Sequence, residues 1–104
     1  MLSVTDKISF KQRQILIHSY IYYNLNKNLI SDQTYDHLSY SLVGLMKQYP
    51  DEFMQSEYSE IFKDFDGTSG FGLYEALNDK QKEMIEVIAH YLCRYSNSKK
   101  NSKF

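Results

Sequence analysis

Apolar residues recur at helical spacing along most of the chain. Phe10, Ile17, Ile21 and Leu25 predict a first helix over 10–25, with Ser9 or Asp6 as its cap. The run Asn26-Lys27-Asn28 interrupts the pattern and reads as a turn. Ser31 then opens a second helix as N-cap, and Asp32 in its first turn is favoured by the positive end of the helix dipole. Tyr35, Leu38, Leu42, Leu45 and Tyr49 follow at steps of three and four, an apolar stripe that Pro50 ends by disfavouring helical geometry at Tyr49. So short a connection predicts that the two helices pack as an antiparallel hairpin.

Past Pro50 the pattern is coarser. Phe53, Met54, Tyr58, Ile61 and Phe62 suggest one or two short helical turns over 51–63, and the glycine-rich segment DFDGTSGFG over 64–72 reads as a loop. Asn78 caps a last helix, with Gln81 placed to reach back as in a capping box, and Met84, Ile85, Ile88 and Leu92 point inward as far as about Tyr95. The expected architecture is all-α: one helical domain over 1–97, built on a hairpin at about 9–50 plus a C-terminal helix, and a flexible polar tail over 98–104.

Composition narrows the function classes. With 104 residues there is room for one domain, and a net charge of −1 builds no strong field for nucleic acid or anionic lipid. Lys99, Lys100 and Lys103 in the tail read as solvated charge. No signal peptide or membrane span is evident, and the lone Cys93 fits a reducing compartment, so a cytoplasmic protein is expected. Ten Tyr against six Phe and no Trp is unusual: rings with a polar tip suit either a half-buried core or a contact surface.

Three motifs carry little chemistry. DFDGT resembles the opening of the haloacid-dehalogenase phosphatases, but Ser59-Glu60-Ile61-Phe62-Lys63 before it is no buried strand. Asp64, Asp66 and Glu75 partly match a calcium loop, with Ser69 where that loop needs glycine. His18, His37 and His90 lie on three different helices at no metal-binding spacing, and no metal is expected.

One constellation stands apart. Asp32, Tyr35 and Asp36 at i, i+3 and i+4 share one face at the start of the second helix, and the hairpin brings Tyr22 and Tyr23 from the end of the first helix to the same place. Two rings beside two carboxylates suit a flat cationic ring that carries a ribose: the rings stack, and the carboxylates accept hydroxyl hydrogen bonds. A purely structural reading also holds, in which Tyr35 begins the apolar stripe and Asp32 improves the helix start.

The run YIYYNLNKNLISDQTYDHLSYSLVGLMKQYP resembles the N-terminal helical subdomain of the NAD-dependent bacterial DNA ligases. Tyr22-Tyr23, Asp32, Tyr35, Asp36, Leu38 and Tyr49-Pro50 fall in that family's order without a gap. The resemblance implies a pocket for the nicotinamide mononucleotide half of NAD, with Tyr22 and Tyr23 flanking the nicotinamide and Asp32, Tyr35 and Asp36 completing it. Tyr23 stands where the family has His or Tyr. After Pro50 the family continues with a Ser-Pro-Thr-x-x-Val-Gly step, of which Thr68 and Gly72 would be a degraded remnant. No Lys-x-Asp-Gly adenylation motif is seen, so the expectation is a non-catalytic module, a free-standing relative of the kind carried by a bacteriophage or mobile element. The alternative is a phage-encoded interaction or inhibitor protein that binds a host protein and keeps the hairpin only as scaffold.

Overall fold

In a computed structural model of the chain, backbone is described for residues 2–68 and 70–101 and side chains as far as Tyr95. The expected tail at 98–104 lies outside the described side chains, and 102–104 outside the description altogether. The elements run α1 (Val4–Tyr23), α2 (Asp32–Gln48), α3 (Pro50–Met54), α4 (Ser59–Phe62), a 3-10 turn (Tyr74–Ala76) and α5 (Asp79–Asn101). The described residues contain no strand, and the chain is all-α. No helix among them is long and apolar enough to cross a membrane.

Helix α1 is the centre of the fold, packed by α2, α3, α5 and the 3-10 turn. It begins two turns earlier than its stripe suggests. Ser3 is the N-cap, accepting from the Asp6 N–H, while Asp6 accepts in return from the Ser3 N–H. Ser9, expected as a cap, instead accepts from the Glu57 N–H at 3.0 Å. The inward face also differs: Ile8, Ile15, Leu16, Ile17, Tyr20 and Ile21 are buried, whereas Phe10 is exposed. Because α1 is covered by α2 on one side and α5 on another, its buried positions nearly surround it, and a single stripe cannot describe them.

Helix α2 follows its sequence pattern closely. The Ser31 hydroxyl accepts from the Thr34 N–H at 3.1 Å, Leu42 is fully buried, and Tyr35, Leu38, Leu45 and Tyr49 pack partly buried against the core. Asn26 takes φ +56° in the turn between the helices, a left-handed conformation that asparagine tolerates. Pro50 ends α2 and starts α3, where its missing N–H costs nothing.

The segment after α3 is tied to α1 by a buried polar knot. The Gln12 amide donates to Ser56 Oγ at 2.9 Å and accepts from the Tyr58 N–H at 3.2 Å, while Ser56 Oγ donates to the Phe53 carbonyl at 2.6 Å. Tyr58 and Phe62 then fill the core and are fully buried. Above the knot, Arg13 pairs with Glu57 at 2.6 Å. Helix α5 opens with the expected reciprocal cap between Asn78 and Gln81 and buries Ile85, Ala89 and Cys93. Met84, expected inward, is 37% exposed, because the face turned to α1 centres on Ile85 and Ala89 instead.

Candidate functional site

At the closed end of the α1–α2 hairpin lies a cavity of about 310 Å3, near the lower end of the ~300–1,000 Å3 usual for small-molecule sites. Tyr22, Tyr23, Asp32, Tyr35 and Asp36 all line it. The antiparallel hairpin is what brings them together: the last turn of α1 carries the tyrosines and the first turn of α2 carries the acids.

The two rings meet edge to face, with centroids 4.9 Å apart and planes at 87°. They form a corner, in which one ring can lie on the face of a flat ligand while the other closes its edge. Tyr22 and Tyr23 are 50% and 45% exposed, so their surface is open to an incoming molecule. Tyr23 is held from its other side by Phe71, again edge to face at 5.4 Å. Asp32 and Asp36 are exposed at the start of α2, one helical turn apart.

Tyr35 has a structural duty as well. Its hydroxyl shares a 2.7 Å hydrogen bond with Ser19 Oγ, which joins the two helices across the floor of the cavity. Burial pushes the Tyr35 phenol above its ordinary pKa, the Ser19 bond opposing, so it stays protonated at neutral pH. Gly70 packs directly on this bond: a Cβ there would come within 2.1 Å of both Ser19 Oγ and Tyr35 Oη. The glycine lets the loop after α4 lie flat against the hairpin.

Six lining residues were not singled out as site residues from the sequence: His18, Ser19, Asn28, Leu29, Ile30 and Thr68. His18 and Ser19 stand four and three positions before Tyr22, on the same face of α1, so helical spacing carries that signal. Asn28, Leu29 and Ile30 belong to the inter-helix connection, which must border any pocket at that end. Thr68 arrives on the loop, held by Asp66, whose carboxylate accepts from the Thr68 N–H at 3.0 Å and hydroxyl at 2.6 Å. These bonds keep the Asp66 carboxyl below its ordinary pKa. Of the two residues matched to the family's downstream step, Thr68 borders the cavity, while Gly72 lies beyond it in a smaller depression with Phe71 and Glu75.

His18 Nδ1 is buried with no hydrogen-bond partner among the described residues, and burial lowers the imidazole's pKa, which favours the neutral ring. His37 and His90 are not drawn to it. Among the described residues, no three of His, Cys, Asp and Glu are grouped to hold a metal ion.

No curated protein and no solved structure matches the chain. The family model for the DNA ligase-like, N-terminal NAD+-binding domain matches residues 1–57, which hold the hairpin and ten of the eleven described residues lining the cavity. That is more than half of the chain, and the chain belongs to this family.

Proposed function

We propose that this protein is a non-catalytic binding module for a nicotinamide nucleotide, taken up in the cavity at the α1–α2 turn. The observation that carries the reading is the convergence of Tyr22, Tyr23, Asp32, Tyr35 and Asp36 on one cavity in a chain of the NAD+-binding family. The corner of Tyr22 and Tyr23 suits a nicotinamide ring, whose positive charge is attracted to an aromatic face. Asp32 and Asp36 accept hydrogen bonds from ribose hydroxyls and balance that charge. The wall supplies rings, carboxylates, hydroxyls and an amide, groups that hold a ligand in place.

Calorimetric titration with nicotinamide mononucleotide and with NAD tests the reading. Binding is expected for the mononucleotide. Tyr22→Ala or Asp36→Ala is expected to weaken it about tenfold or more, with the melting temperature little changed because both side chains are exposed. Parent-like affinity in both variants, or no binding by the parent chain, would sink the assignment.

A further inference from the structure

Helix α5 is apolar on two sides. Ile85, Ala89 and Cys93 face the core, while Met84, Val87 and Tyr91 are 37%, 64% and 62% exposed. Steps of three and four keep these three on one line, which Tyr95 continues at 56% exposure. That alternation is the spacing of a seam between two helices.

The charges beside the stripe identify what covers it. Glu83 and Arg94 stand on the same flank, the acid toward the N-terminal end of the stripe and the base toward its C-terminal end. Both are exposed, and neither joins an ion pair among the described residues. The other flank carries Gln81, Ile88 and Leu92. The pairs Val87/Tyr91, Met84/Tyr95 and Glu83/Arg94 all lie nearly symmetrically about the level of Ala89, the middle of the stripe. A two-fold axis there sets Val87 against Tyr91 of a second copy, and Met84 against its Tyr95. When helices pair antiparallel, like flanks meet, so Glu83 faces Arg94 of the second copy and the ion pair forms twice. Parallel pairing sets that flank against the one of Gln81, Ile88 and Leu92 and leaves Glu83 and Arg94 without each other.

We propose that two copies of this chain associate through an antiparallel α5–α5 contact. The stripe is self-complementary in shape and in charge, as an isologous interface requires. Among the described residues, none of α5 lines the cavity at the α1–α2 turn, so the contact leaves both cavities of the dimer open.

Sedimentation of the full chain, from low micromolar to near-millimolar, is expected to show a shift from monomer to dimer mass. Val87→Glu places a charge in the seam and is expected to weaken association by at least about tenfold. Its helical circular dichroism should be retained, since the side chain is exposed in the single chain. Glu83→Arg and Arg94→Glu are each expected to weaken self-association roughly tenfold by putting like charges together. An equimolar mixture of those two variants should dimerise again, because each supplies the charge the other lacks. A chain that stays monomeric throughout, a Val87→Glu variant that associates like the parent, or a mixture no better than either charge variant alone would overturn the proposal.

Discussion

Residues 1–57 and residues 58–104 contribute unequally to the cavity and to the core. Among the described residues, the first part supplies ten of the eleven that line the cavity, and the second Thr68. Of the fourteen buried apolar residues among those described, however, six come from the second part: Tyr58, Phe62, Leu77, Ile85, Ala89 and Cys93. The family-matched part thus supplies most of the cavity wall, and the remainder completes the packing of α1. Chemistry needs a few side chains at one helix turn, whereas burying a central helix needs apolar surface all round it.

The largest effect is expected from emptying the part of the core that residues 58–104 supply. Phe62→Ala is expected to cost about 3–5 kcal/mol, the usual range for emptying a fully buried aromatic site. Urea denaturation would measure it, and the fraction still folded should keep the cavity and its ligand. A loss below about 1 kcal/mol would mean that the second part is not needed to hold α1.

Gly70→Ala should cross the division. The added methyl meets the Ser19–Tyr35 bond, and the expected cost is about 1–3 kcal/mol. Unlike Phe62→Ala, it should also weaken mononucleotide binding in the folded protein, since Tyr35 must shift. Unchanged affinity alongside lowered stability would show that the loop only packs.

The smallest effect expected is a pH dependence within the first part. Burial lowers the His18 pKa from the ordinary 6.5, so the unfolded chain takes up a proton more readily than the folded one. The contribution is fully present above pH 6.5 and is lost as pH falls from there toward the depressed folded value. His18→Gln should therefore flatten the fall in melting temperature below pH 6.5. Identical profiles for parent and variant would remove His18 as a source of acid sensitivity.

The legibility of the sequence follows the same division. Helix α2 has one buried face, so the Ser31 cap, the stripe from Tyr35 to Tyr49 and the stop at Pro50 mark it plainly. Helix α1 is enclosed from several sides, which erases its period. It also buries Gln12 and Ser19, whose polarity is offset by bonds to Ser56, Tyr58 and Tyr35 that no local pattern announces. Phe10, apolar by type, is left in solvent. The five candidate residues of the cavity were readable because one helical turn and one short connection fix their meeting. The place of Thr68 depends on the path of a loop that only Gly70 permits against the hairpin, and it is legible only once the packing is known.

The polar knot of Gln12, Ser56 and Tyr58 has a consequence for where this protein can be divided. The family match ends at residue 57, between two members of that knot. Cutting the gene there would take away the Tyr58 N–H, leave the Gln12 carbonyl stranded, and strip α1 of Tyr58, Phe62 and α5 together. The border drawn by kinship therefore runs through the packing around α1 and not along its edge.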